Sequence, residues 1–383
     1  MPRTRSQRGR ARGRISGWLA HLWADIRAST DPGFLAAARY LGLLYGRIDR
    51  RLPIDQALRK ALSRRLAPHV GWRHALGGIT YLLFALLVVT GVLLSFYYRP
   101  SAEEAYASIQ HIVSEVSLGW LVRDLHVWAS NLIVVAILAH MARVFFTRAY
   151  RPPRETSWAV GLLLLLVVLA FGATGYLLPW DSWAFWTANE VVSRLAGVPL
   201  VGGVAARLLA GETFVAGATV SRFFVIHAII LPWIAFGLLA FHFAMIRKHG
   251  VAPPEGPPAE EPGVPFYPNH LLRSFMTSVL VLSVAITLAV LYPRPIGDPV
   301  AAFTEPSELV STWIVVDVTL GLLRYVGPWG LVLYTLLGLS LFLIPLFDRS
   351  PEPQSRRRIV VTAVGLLFFL GFLGAWVAGS VGR

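Results

Sequence analysis

The sequence predicts an all-α integral membrane protein: a four-helix bundle with three further transmembrane helices packed beside it. Three observations predict it. Of the 383 residues 55% are hydrophobic and only 15% charged, whereas soluble domains carry about 25% charged residues. The apolar residues come in seven long runs. The positive charge falls between the runs, mostly on alternate connections.

A bilayer core of about 30 Å needs roughly 20 apolar residues as helix. Stretches at about 76–97, 127–147, 157–178, 223–246, 272–292, 329–347 and 359–380 meet that length. Residues 1–43 read as a basic N-terminal extension, opening on an Arg-rich tail. Across 16–66, apolar and basic residues alternate as in amphipathic surface helices. No part of the first 70 residues has the apolar core and small-residue cleavage site of a signal peptide. Residues 44–250 hold four spans and form one expected domain. Residues 251–267, rich in Pro, Gly and Glu, read as a linker, and 268–383 hold the last three spans. No internal repeat suggests a transporter built from inverted halves.

The formal charge is +14, and 27 of the 35 Lys and Arg residues lie on one side of the predicted spans. The positive-inside rule puts that side in the cytoplasm, with the N-terminus inside and the C-terminus outside. Topology and contact with anionic lipid of the bilayer account for the charge, so no nucleic-acid partner is expected. There is no cysteine. That excludes disulfides, thiolate metal sites, iron–sulfur ligation and covalent c-type haem in this chain.

Four of the ten histidines sit on spans: His126 and His140 on the second, His227 and His242 on the fourth. An imidazole in lipid is costly and needs a partner. Fourteen helical residues return a side chain to within about 40° of the same face, and fifteen to within about 60°, after a rise of about 21–22 Å. Each helix therefore offers two histidines on roughly one face, one near each leaflet. Antiparallel packing pairs His126 with His227 and His140 with His242. Two stacked bis-imidazole cages suit two b-type haems, and a single zinc or copper ion would want its ligands clustered. Gly77 and Gly91 on the first span, and Gly161 and Gly175 on the third, repeat the period of 14. Glycine lets a flat macrocycle approach a helix closely, although ordinary small-residue packing uses it too. Arg123, Arg143 and Arg222 fall where haem propionates would need them.

The stretches LGGIT (76–80), TGVLLSFYYRP (90–100), GWLVRDLH (119–126), FGATGYLLPWD (171–181) and FHFAMIRKHG (241–250) resemble cytochrome b of the quinol-oxidising bc and bf complexes. The likeness is nearest to the chloroplast-type branch, whose two histidines on the fourth span are also 15 apart. YPNHLL (267–272) and IGDP (296–299) resemble that branch's separate three-helix subunit, here in one chain with the first. The resemblance implies a di-haem subunit of a quinol:cytochrome c oxidoreductase with two non-covalent b-type haems. His126 and His227 would ligate the outer, low-potential iron, and His140 and His242 the inner, high-potential one. Quinol would be oxidised between Pro179-Trp180-Asp181 and the loop before the sixth span. Quinone would be reduced near Arg247 and Lys248. The implied partners are a Rieske-type iron–sulfur protein, a c-type cytochrome and a second copy of the complex. The implied location is a bacterial cytoplasmic membrane.

Two departures stand out. Ala75 occupies the place of the cysteine that holds an extra covalent haem in the chloroplast-type branch. Ser311, Thr312, Trp313 and Ile314 stand where the family carries Pro-Glu-Trp-Tyr. Thr312 can donate a hydrogen bond but cannot titrate near neutral pH. Asp317 or Glu308 could substitute for the glutamate, or could be ordinary exposed loop acids. Otherwise protons leave through water, or the chain is a two-haem conduit that no longer bifurcates electrons. A haemless scaffold or transporter is the reading from another class, and paired imidazoles in lipid argue against it.

Overall fold

The computed structural model describes residues 63, 65–67, 69–199, 202–211, 214–253, 263–300, 311–348 and 356–380. Residues 1–43, nearly all of the amphipathic stretch, and Glu308 lie outside them. The chain divides into two compact units. The first is Met1–Leu66 with Pro265–Asn269, of which few residues are described. The second, Ala67–Val264 with His270–Arg383, carries every element named below.

Among the described residues, seven helices are long and apolar enough to cross a membrane, matching the seven predicted runs. A short turn at Trp72–Ala75 leads into α1 (Leu76–Ser95). The connection that follows folds into α2 (Ala105–Ser114) before α3 (Gly119–Phe146), the most enclosed of the spans. α4 (Glu155–Tyr176) is the third span. The next connection forms two short helices, α5 (Ser182–Ala196) and α6 (Gly202–Ala210). α7 (Gly217–Val225) runs through a π-helical turn, Ile226–Ile230, into α8 (Leu231–His249).

The second half begins with α9 (Leu271–Leu291). α10 (Ile314–Val326) and α11 (Pro328–Ser340) are joined through Gly327, whose φ of 76° suits glycine; Pro328 opens the second helix. A short turn and α12 (Ile344–Phe347) complete the sixth span, and α13 (Arg356–Ser380) is the seventh.

The structure corrects one expectation here. The segment after Trp313, read as loop, is α10. Its apolar residues Ile314, Val316, Val318 and Leu323 are buried, and it packs along α13. The two backbones approach closely: a Cβ at Gly321 would overlap the Ala375 carbonyl, and one at Gly379 the Asp317 carbonyl. Asp317 is therefore a buried residue in the first turn of α10, not an exposed loop acid.

α1 packs on α3, and α4 on α8. One apolar core joins α1, α3, α8 and α10 through Phe84, Ile133, Val134, Ala235 and Trp313. A second gathers Phe145, Trp158, Leu162, Leu341 and Phe368 towards the other end of the spans. Outward-facing Trp233, Leu280 and Leu367 are exposed, as expected where hydrocarbon is the solvent.

Polar ties hold the last three spans against the first four at both ends. At one end the Trp128 indole donates to Tyr292 O (2.9 Å), and the Arg294 guanidinium lies 3.9 Å from the Trp128 ring centroid. At the other, the Trp158 indole donates to Leu341 O (2.8 Å). There Asp348, 1% exposed, accepts from Arg148 (2.8 Å), Arg151 (2.8 Å) and Tyr150 (2.5 Å).

Candidate functional site

His126 on α3 and His227 in the π-turn face each other, their ring centroids 6.3 Å apart and their planes at 61°. Both Nδ1 atoms are anchored. Thr90 Oγ1 donates to Leu86 O (2.7 Å) and so accepts from His126 Nδ1 at 2.8 Å. His227 Nδ1 donates to Phe171 O (2.9 Å), with Thr174 Oγ1 at 3.2 Å. A carbonyl can only accept, so the ring proton sits on Nδ1 and Nε2 keeps its lone pair. That is the arrangement of a metal-bound histidine with its outer support. Two iron–nitrogen bonds of about 2 Å plus half a ring on each side span roughly 6 Å. The observed separation fits one metal between two imidazoles. Among the described residues, no group of three or more His, Cys, Asp or Glu gathers as a bare ion would require.

The four glycines meet the four histidines one to one. A Cβ at Gly91 would lie 3.2 Å from His126 Cε1, and one at Gly77 3.3 Å from His140 Cε1. A Cβ at Gly175 would lie 2.6 Å from His227 Cε1, and one at Gly161 3.8 Å from His242 Cε1. The ring each glycine admits is thus the imidazole itself. The fit is tight at Gly175, Gly91 and Gly77 and at ordinary contact distance at Gly161.

The spacing of 15 on the fourth span also finds its cause. The Leu231 N–H bonds back to Ile226 O, five residues earlier, so this turn holds one residue more than an α-turn. Pro232 cannot donate to the preceding turn and crowds it, which favours the widening. With that residue absorbed, His227 and His242 stand at the effective period of 14 seen on α3.

In the second pair, Arg143 and His242 are the titratable neighbours of His140. His140 Nδ1 is buried and makes no hydrogen bond. The Ser157 carbonyl lies against His242, but no bond of normal geometry closes on its Nδ1. Arg143, one turn beyond His140, keeps a buried Nε without a partner. An orphaned cationic donor beside this pair fits an acidic group such as a propionate.

The other predicted cations fall differently. Arg222 is exposed in the last turn of α7, packed over Gly211. Arg247 and Lys248 are exposed at the C-terminal end of α8. Arg123 is buried and committed elsewhere: it pairs with Asp124 (2.7 Å) and donates to the carbonyls of Arg294 and Pro295.

Arg123, Tyr176, Pro179, Asp181, Trp183, Ala184 and Thr312 line one small cleft. Pro179, Asp181 and Thr312 are thereby brought together. Trp180 is not in the lining. With φ at 52° it turns into a separate buried cluster beside Phe185. Trp313 lies behind the cleft, its indole against Gly172, where a Cβ would overlap the ring. Asp317 does not line it. The carboxylate that does is Asp181, which caps α5 through Ala184 N (2.8 Å) and accepts from Gly297 N (3.0 Å). Burial lifts this carboxyl above the ordinary carboxylate range, partly offset by those N–H groups and Arg123.

Sequence reasoning missed Thr90, Thr174, Asn131 and the Asp348 cluster. Thr90 beside Gly91 and Thr174 beside Gly175 repeat one Thr-Gly pair on the two glycine helices, a signal that was available. Asn131 and Asp348 bond to residues far away in sequence and left none.

These features define an all-α protein of the membrane that carries paired histidines at two levels of its helix bundle. A family model described as Cytochrome b/b6/petB matches residues 61–250. Cytochrome b6 of Rippkaea orientalis (strain PCC 8801 / RF-1) is 37% identical over 211 residues, 55% of this chain and 95% of the relative. Cytochrome b6 of Emiliania huxleyi is 39% identical over 211 residues, 55% of this chain and 98% of the relative. A solved chain of a hyperthermophilic respiratory Complex III aligns with TM-score 0.77 at 25% identity, covering 88% of this chain and 91% of that one. The chain belongs to the cytochrome b/b6 family, as a cytochrome b of the bc type.

Proposed function

We propose that this chain is the di-haem subunit of a quinol:cytochrome c oxidoreductase. The observation that carries the reading is the pairing of four glycine cradles with four histidines in two levels. His126 and His227 would hold the outer haem and His140 and His242 the inner one. When bound, the two irons supply a one-electron path across the bilayer. The chain's own residues do the rest. Thr90 and the Phe171 carbonyl keep the outer Nδ1 protons in place and aim Nε2 inward. Arg143 offers its free donor to the inner haem's carboxylate. Thr312 and Asp181 face quinol in the outer cleft, and Arg247 and Lys248 sit at the inner quinone end.

The charge bias supports an N-terminus in the cytoplasm, and the fused, Arg-rich chain supports a bacterial cytoplasmic membrane. The implied assembly is a homodimer with a Rieske-type protein and a c-type cytochrome. A second reading, a two-haem conduit without bifurcation, is favoured by one observation. Thr312 replaces the family's acid, and Asp181 already accepts two backbone hydrogen bonds.

An oxidant pulse separates the two. With quinol supplied and the inner site blocked, transient reduction of b-haem absorbance supports the outer quinol site. No transient, with haems still reducible by dithionite, leaves the conduit. Absence of haem from the purified protein refutes both.

A further inference from the structure

We propose that Asn131 is a positioning residue for the outer quinol cleft, acting through Thr312; this rests on the quinol-oxidising reading above. Asn131 is buried on α3, five residues beyond His126. Its amide grips the backbone on either side of Trp313. Oδ1 accepts from Ile314 N at 2.7 Å. Nδ2 donates to Thr312 O at 2.9 Å and to Val127 O at 2.9 Å. Both amide hydrogens and the oxygen are used, which fixes the side chain in one orientation.

The grip meets a need on each side. Ile314 is the first residue of α10, whose N-terminal N–H groups have no partner within the helix. Trp313, its N-cap, supplies no side-chain cap. Asn131 therefore caps α10 from another span. Thr312, whose carbonyl is held on α3, lines the cleft with Arg123, Pro179 and Asp181. Trp313 locks the segment from behind: its indole fills the space over Gly172, and its N–H and C=O both bond Ser311 Oγ (3.2 and 2.9 Å). Arg123, His126 and Asn131 share little more than two turns of α3. One wall of the cleft, a haem ligand and the clamp on Thr312 thus move as one rigid body. Only a side chain with a donor and an acceptor at this reach can make both long-range bonds. Leucine has the volume but neither group.

The test compares Asn131→Leu, Asn131→Asp and Thr312→Val in the purified complex, using a short-chain quinol analogue. Asn131→Asp keeps the acceptor for Ile314 N, so it retains the cap of α10 and guards against a variant that fails to fold. The expected result has three parts. The dithionite-reduced b-haem spectrum stays unchanged in all three variants, and both haem potentials stay unchanged in Asn131→Leu and Thr312→Val, which add no charge. The KM for quinol rises about tenfold, the factor carried by one lost hydrogen bond, while kcat moves less. Asn131→Leu adds nothing further in a Thr312→Val background, because both act on one contact. An unchanged KM in haem-replete Asn131→Leu and Asn131→Asp overturns the proposal, as do additive effects with Thr312→Val. If wild-type protein shows no oxidant-induced haem reduction, the quinol reading itself fails and takes this role with it.

Discussion

Gly175→Ala offers the sharpest test of the haem cradles. The new Cβ would stand 2.6 Å from His227 Cε1, 3.1 Å from Nδ1 and 3.4 Å from Nε2. Carbon atoms settle at about 3.5–4.0 Å, so the ring must retreat by about 1 Å. It has little freedom to do so, because Nδ1 is tied to Phe171 O at 2.9 Å. Moving the ring sacrifices that bond, worth about 1 kcal/mol, and overpacking adds about 1–3 kcal/mol. A shift of that size is about half an iron–nitrogen bond. The outer haem should be lost or bound far more weakly. Gly161→Ala is the internal control: its Cβ would meet His242 Cε1 at 3.8 Å, an ordinary contact, and the inner haem should remain. The assay is haem per chain from the pyridine haemochrome, with reduced-minus-oxidised spectra of the purified variants. Two intact haems in Gly175→Ala, or haem loss only in Gly161→Ala, would refute the reasoning.

Three further outcomes are expected. Thr90→Val removes the acceptor for His126 Nδ1 and should weaken outer-haem affinity 10–100-fold by analogy with metal-site supports; Thr174→Val should do less, since His227 keeps the Phe171 carbonyl, and haem titration of apoprotein checks both. Asp348→Ala strands the buried Arg148 and should cost about 3–5 kcal/mol, read as an earlier thermal unfolding transition in detergent; an unchanged transition would mean the cluster is only packing. Asp181 is held above the ordinary carboxylate range by burial, so its contribution to stability is full below the unfolded pKa and fades as pH rises through the folded one. Once protonated it cannot take a proton from quinol, so quinol oxidation should fall as pH drops through that raised value. The acid limb should disappear in Asp181→Asn, and its persistence there would assign the limb to another group.

The sequence by itself determined the seven spans, because a helix in hydrocarbon needs length and apolarity, both of which are local. It also determined the two levels of histidine and glycine, because helical period alone sets which residues share a face. What it could not decide was which atoms those faces meet. The glycine period could not distinguish a macrocycle from an imidazole as the neighbour; the packing of α1 on α3 and α4 on α8 placed the ring of a histidine against each one. The spacing of 15 looked like a 60° mismatch until a π-turn beside Pro232 absorbed one residue. Asp317 read as a loop acid because a short amphipathic helix after a Trp is hard to tell from a loop; α10 buries it against α13. Asn131 was one polar residue in an apolar run, and its partners lie more than 180 positions away. Asp348 and its arginines are equally remote from one another. Hydrogen bonds and ion pairs of that kind depend on two distant segments arriving at one point. No period within either segment encodes that meeting, so the tertiary structure alone decided the shape of the outer cleft.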